Sequence, residues 1–529
     1  MNRIFAAAAL LLPTLALPID DADWETFNRD LRGTRHSPLN DINTTNVSRL
    51  RRVADFETGV TTSFQTGPVV VNGTLFCTTF KHTYAIDAVS GRMRWKDVAS
   101  LPLMGLGSHR GVAYEGGRVF RGYNHGWMVA LDASSGRRLW STKIADPKGG
   151  ESIPMAPIAW DGKVFVGNAG GDNYAVTGRI YALDAATGRQ LWRFDTVPKT
   201  GPAADTWENK SLPPAGAATW TTYSLDPDAG ILYACAGNPA PDFAIGLRPG
   251  RNLYSNCMLA IDARTGELLA WIQPTRNDFH DWDLSAAPAL ITTAGGRKMA
   301  ALGGKDGFLY GILNGSLNDS MRADPNALQI LFQTPVTRRF NTETPFNTRT
   351  FTRFAPGSQG GVEWNGPAYN PETNFIYTPA IDWPTAVKLA PRSELINKKK
   401  GDSWSGAHDG GFGKLDPPTS WGGYLTAIDA DTGKKIWTYR APTPLVAAAT
   451  STAGGIVFSA DLLGDVRAFN ARTGQILWRD RIGRPIGGGI VTYEVDGEQY
   501  VAVAAGMSSG IWPTPKTTAK IVIYRLPAD

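Results

Sequence analysis

The chain has 529 residues, 42% of them hydrophobic and 19% charged, with 58 Gly, 35 Pro and 17 Trp. That is too aromatic and too weakly charged for a disordered chain, and so many turn formers and tryptophans argue against an all-helical one. Basic residues exceed acidic ones by 53 to 48, and the one basic run, Lys398 to Lys400, is too short to track a phosphate backbone, so nucleic acid is not an expected partner.

The amino terminus, MNRIFAAAALLLPTLAL, has one basic residue, Arg3, then an apolar run from Ile4 to Leu12, then Thr14 and Ala16 at small-residue cleavage positions. This predicts a signal peptide over residues 1–16 and a mature chain over 17–529, secreted or, in a bacterium, periplasmic. No stretch reaches the roughly 20 apolar residues of a membrane span. Sequons at Asn43, Asn46, Asn72, Asn209, Asn314 and Asn318 would permit N-glycosylation in a eukaryotic host.

Length alone suggests three or four domains at about 150 residues each, but an internal repeat overrides that estimate. AIDAVSGRMRW (85–95), ALDASSGRRLW (130–140), ALDAATGRQLW (182–192), AIDADTGKKIW (427–437) and AFNARTGQILW (468–478) share one plan, and AIDARTGELLAW (260–271) carries its Trp one position late. Each is an apolar strand, an Asp or Asn turn with a Gly free to take positive φ, and a second strand presenting Trp. A lone hairpin cannot bury an indole, whereas a ring of sheets can stack it on the next sheet.

Turn glycines recur after 45 residues (Gly91 to Gly136), 52 (Gly136 to Gly188) and 41 (Gly433 to Gly474), the length of a four-stranded blade. The longer gaps leave room for degenerate blades around 307–316 and 369–381. The prediction is an all-β, eight-bladed β-propeller of four-stranded antiparallel blades in one domain. Residues 48–57 and 520–526 would close the ring by completing one blade together, which removes an open sheet edge. The segment from Trp383 to Trp421 has no strand periodicity and reads as either an entrance loop or an uninvolved excursion.

The cysteines, Cys77, Cys235 and Cys257, form no CxxCH or zinc-ligand spacing, so neither a covalent c-type haem nor a structural zinc is expected. Cys235 and Cys257 lie in successive strands, compatible with a disulfide or with buried free thiols.

The Trp-turn repeat, WETFNRDLRGTRHSPL (24–39), GNPAPDF (237–243), NDFHDWDLS (277–285) and the stretch from 452 to 506 resemble, in that order and over nearly the whole mature chain, the quinoprotein alcohol dehydrogenases of the methanol and ethanol dehydrogenase type. The resemblance implies pyrroloquinoline quinone (PQQ), calcium and a small alcohol substrate. It assigns Asp283 as the general base and a metal ligand. Lys305 becomes the donor to the quinone oxygen that gains charge, Arg110 the partner of a PQQ carboxylate, Trp220 the indole floor and Asn238 a metal ligand.

Departures from the family pattern are implied as well. A vicinal cysteine pair falls at Met104 and Gly105, and a metal-binding glutamate falls at Asn173, after Asp172. A glutamate that touches PQQ falls at Gln65, and the Asn of an Asn-Trp pair is Glu363, before Trp364. Ser285 lacks the extra carboxylate of lanthanide-dependent relatives, which disfavours a lanthanide. Two other readings compete: a quinone-free enzyme using Asp283, His280, Asp281 and Lys305 for acid–base or cyclisation chemistry, and a non-catalytic binding propeller.

Overall fold

The structure is a computed structural model, and it describes residues 22–99, 105, 107–314 and 327–528. The predicted signal peptide, Met104 and the Asn318 sequon lie outside the described residues. Eight sheets each contribute four antiparallel blade strands. In chain order the blades span 69–98, 113–143, 158–195, 224–272, 289–335, 368–441 and 450–481. The eighth combines 490–525 with Arg51–Glu57. The degenerate repeats supply the fifth and sixth blades, through Phe308–Leu313 and Phe375–Asp382. The termini close the ring as expected: Phe56 pairs with Ile521, and Ala54 with Ile523.

The repeat's physical logic is visible between blades. Each outer-strand Trp faces a small Ala on the neighbouring strand, as in Trp140 opposite Ala130, and a β-bulge follows immediately. The bulge re-aims the indole toward the next blade. There it lies on the turn glycine and donates its N–H to the carbonyl after the turn aspartate or asparagine. Trp95 bonds Ala133 at 2.9 Å, Trp140 bonds Ala185 at 3.0 Å, Trp192 bonds Ala263 at 3.1 Å and Trp437 bonds Ala471 at 3.0 Å. Trp478 docks on the amino-terminal segment, through Leu50.

Three blades depart from this, the eighth because its outer strand Arg51–Glu57 has no Trp and meets Gly91 through the Asp55 backbone. In the fourth, Ala270 occupies the docking register opposite Ala260, and the late Trp271 instead meets Tyr254 edge-on and lies under Arg251. In the fifth, Phe332 replaces Trp and packs on Gly433.

Residues 24–37 cross the first strands of five blades, joining Val70, Leu225, Leu290, Tyr369 and Ser451 through backbone hydrogen bonds. The three cysteines are buried free thiols, so the disulfide alternative does not hold. Among the described residues no helix is long and apolar enough to cross a membrane.

Candidate active site

A cavity of about 450 Å³ is lined by all nine residues singled out from the sequence: Gln65, Arg110, Asn173, Trp220, Asn238, Asp283, Lys305, Glu363 and Trp364. They are far apart in sequence and converge because each lies on a connection between strands or blades. Gln65 and Arg110 follow two short strands, Ser63–Phe64 and Ser108–His109, that pair in parallel and set them side by side. Lys305 occupies the tight turn after Lys298–Gly303. Gly360 packs so closely on it that a Cβ there would meet Lys305 Cγ at 2.3 Å.

The NDFHDWD loop is organised by Asp278, whose carboxylate accepts the N–H groups of His280 and Trp282 at 3.0 and 3.1 Å. This local turn sends alternate side chains to opposite sides. Asp281, at φ 65°, and Asp283 line the cavity. His280 and Trp282 stack on each other at 3.9 Å within an aromatic cluster that includes Phe279, Phe346 and Phe354. His280 is therefore a packing residue, and the acid–base alternative loses it.

At the heart of the cavity Lys305 Nζ donates to Asp283 Oδ2 at 2.7 Å and lies 3.9 Å from both Asp281 and Glu363. Burial opposes the Lys305 charge, but the summed attraction of Asp281, Asp283 and Glu363 outweighs it and holds the ammonium protonated well above its usual range. Asp283 Oδ1 accepts the N–H of Asn238 at 3.0 Å. Trp220 carries two cations, with the Arg110 guanidinium 4.5 Å and Lys305 Nζ 5.6 Å from its ring, while Arg110 is also 5.2 Å from Trp364. Burial pulls Arg110 down to about 10, which leaves it charged at neutral pH. Burial also raises Glu363, to about 7, against the attraction of Lys305.

Asn173 and Asn238 line the cavity, but their amide nitrogens are engaged, with Gly150 O at 2.8 Å and Asp242 Oδ1 at 3.0 Å. The described acidic cluster is Asp172, Asp242 and Asp281, whose ligand atoms lie within 4.8 Å of one another. Burial, reinforced by the neighbouring carboxylates, raises all three, Asp172 to about 6. Asp242 escapes sequence reasoning, although it stands four residues after Asn238 in GNPAPDF and that spacing was its only signal.

The fit to a quinone and a metal can be judged from unpaired atoms. Arg110 Nε, Gln65 Oε1 and Glu363 Oε2 are buried without hydrogen-bond partners, as are Asp242 Oδ2 and Asp281 Oδ2. The unpaired Arg110 donor beside an aromatic wall suits an anionic group on a flat ligand, and unpaired carboxylate oxygens suit a hard cation. The Trp383–Trp421 segment joins the cavity wall through Gly401, Ser403, Ser405 and Gly410–Phe412, so it is not an uninvolved excursion.

Comparison with known proteins agrees with this geometry. Residues 24–315 and 322–501 match the family model of the PQQ-type glucose/ethanol/alcohol dehydrogenase β-propeller domain. The quinoprotein alcohol dehydrogenase PedH of Pseudomonas putida is 32% identical over 527 residues, covering 91% of this chain and 85% of PedH. A lanthanide-dependent methanol dehydrogenase of Methylacidiphilum fumariolicum is 27% identical, covering 93% of this chain and 86% of that protein. The solved structure of a europium-containing methanol dehydrogenase superposes with a TM-score of 0.84 at 25% identity, over 96% of this chain and 98% of that one.

The fold and site thus define a quinoprotein dehydrogenase, and the chain belongs to the PQQ-dependent alcohol dehydrogenase β-propeller family. It is an oxidoreductase of the quinoprotein alcohol dehydrogenase type.

Proposed function

We propose that the chain oxidises an alcohol, with PQQ held between Trp220 and the opposite cavity wall and with Asp283 as the general base. The observation that carries this reading is the buried Asp283–Lys305 pair set over the Trp220 ring. PQQ, when bound, supplies a quinone that accepts the two electrons and the hydrogen leaving the alcohol carbon.

The protein's residues account for the rest. Arg110, with an unpaired Nε between two indoles, suits a ligand carboxylate. Asp283 takes the hydroxyl proton on a carboxylate oxygen, and the Lys305 ammonium stabilises negative charge that develops beside it. A metal ion belongs in the same corner, near Asn238 and Asp283. Calcium is the ion implied by the sequence resemblance.

Glycines Gly150, Gly170, Gly401, Gly410 and Gly411 line the cavity with no side chains, beside Phe412, Ile511 and Trp512. That composition favours an alcohol with a bulky apolar substituent. Electrons leave to a separate acceptor. If the host glycosylates, the exposed Asn72 at a hairpin tip is the better acceptor, since Asn209 and Asn314 have their amide nitrogens bonded within the protein.

The test is a PQQ titration with quinone absorbance as the readout, followed by dye-linked oxidation of a panel of alcohols. No binding at submillimolar PQQ would remove this reading.

A further inference from the structure

We propose that this chain carries a second ligand site, outside the cofactor cavity, that takes a monocarboxylate with an apolar body. The site is a cavity of about 540 Å³ formed by the connection between the third and fourth blades, residues 197–214, together with Leu247, Arg248 and Trp404. It shares no lining residue with the cofactor cavity. The wall between the two includes Trp404, whose chain neighbours Ser403 and Ser405 line the cofactor side. The volume falls in the range of about 300–1,000 Å³ typical of small-molecule sites.

The walls fix what the body of the ligand must be. Val197, Trp207, Leu247 and Trp404 are buried and line the cavity. Both indole N–H groups are spent inside the protein, Trp207 on Leu253 O at 2.7 Å and Trp404 on Leu395 O at 2.8 Å, so the rings offer apolar surface. Asn209 is likewise satisfied, its amide nitrogen on Leu247 O at 2.8 Å and its oxygen by the Ser211 N–H at 3.0 Å.

The unspent donors fix the charge. Arg248 lines the cavity at 4% exposure and brings five N–H groups. Its Nε bonds Pro241 O at 2.9 Å, Nη1 bonds Asn252 Oδ1 at 3.1 Å, and Nη2 bonds the carbonyls of Asp242 and Asp278 at 2.9 and 2.6 Å. One Nη1 hydrogen is left over, and every acceptor used is neutral. The Asp278 and Asp242 carboxylates attract the guanidinium without bonding it, and neither lines the cavity. Lys199 is exposed at the rim, and Lys210 donates to Ala204 O at 3.0 Å. Asp205 and Glu208, on the same connection, lie outside the lining, so among the described residues three cations and no carboxylate border the cavity.

A buried guanidinium hydrogen without an acceptor calls for one, and a carboxylate supplies it through a charge-assisted bond while its hydrocarbon covers the indoles. A single free hydrogen beside apolar walls suits a monoanion, whereas a phosphate dianion would lose its hydration against them.

The full chain is titrated with octanoate by calorimetry, with octanamide and inorganic phosphate in parallel. The expected result is one saturable octanoate site of submillimolar affinity that weakens as salt rises, with octanamide and phosphate at least about tenfold weaker. The double variant Lys199→Gln, Lys210→Gln alters only exposed side chains and should weaken octanoate by roughly threefold or more. Arg248→Gln should weaken it by about tenfold or more. Arg110→Gln, in the cofactor cavity, should leave octanoate affinity unchanged.

Absence of saturable octanoate binding overturns the proposal, as does equal affinity for octanamide or phosphate. So does an octanoate affinity lost in Arg110→Gln or unmoved in the double lysine variant. The lysine variant and the octanamide comparison carry the test if Arg248→Gln misfolds. PQQ binding is read separately by quinone absorbance, and its failure removes the dehydrogenase reading while leaving this site in place, because the two cavities have no residue in common.

Discussion

Lys305 Nζ and Asp283 Oδ2 meet at 2.7 Å, so the residue assigned as base and the cation assigned to the quinone form one buried pair. Both side chains are 7% exposed, and Lys305 keeps Asp281 and Glu363 at 3.9 Å as further partners.

Asp283→Asn keeps the shape of the side chain and removes its capacity to accept a proton. Dye-linked turnover is expected to fall by about 10²–10⁴-fold while PQQ still binds. Retained turnover would take the base role away from Asp283.

Glu363 gives the pH dependence a sign. Its value is raised from 4.5 to about 7, so the folded protein holds a proton that the unfolded chain releases. The resulting stability is fully present below 4.5 and is lost as pH rises through about 7, a contribution of at most about 3 kcal/mol. Asp172, raised from 3.8 to about 6, acts in the same direction. In the metal-free, quinone-free protein, Glu363→Gln is expected to flatten the fall in apparent Tm between about pH 5 and pH 8. A profile parallel to the wild type would contradict this assignment.

Trp192 and Trp271 differ in register, and stability should show it. Trp192→Phe removes the N–H bonded to Ala263 O and is expected to cost about 1–3 kcal/mol in urea unfolding. Trp271 is not docked on a neighbouring turn, and Trp271→Phe is expected to cost less than about 1 kcal/mol. Equal losses would argue against docking as the stabilising contact.

Gly136 tests the same contact from the other side. A Cβ there would stand 2.7 Å from the Trp95 ring, at a φ of 72°. Gly59 has a similar φ of 69° with nothing within 4 Å. Both alanine variants incur the backbone strain, so the extra loss in Gly136→Ala, expected at about 1–3 kcal/mol, isolates the steric part. Identical unfolding midpoints would show that the turn yields without cost.

The blades were legible because their signal is local. A turn aspartate, a glycine at positive φ and a tryptophan at fixed spacing recur within eleven residues, and closure by the termini follows from the need to pair a sheet edge. The blade around Ala270 was harder to read, because one inserted residue moves the indole out of register while leaving the strand intact. His280 reads as a candidate acid–base group by type alone, and only the Asp278 turn shows that it faces Phe346 and Phe354 rather than the cavity.

By itself the amino-acid sequence determined the propeller, its blade count and, through ordered motifs, the residues that line the cavity. The tertiary structure alone decided how charge is distributed inside it. Asp172, Asp242 and Asp281 lie on three different connections, and nothing in local spacing reveals that their oxygens come within 4.8 Å. Strand propensity and turn chemistry act over a few residues, whereas the Coulomb energy of a buried carboxylate depends on which distant loops the closed ring brings beside it.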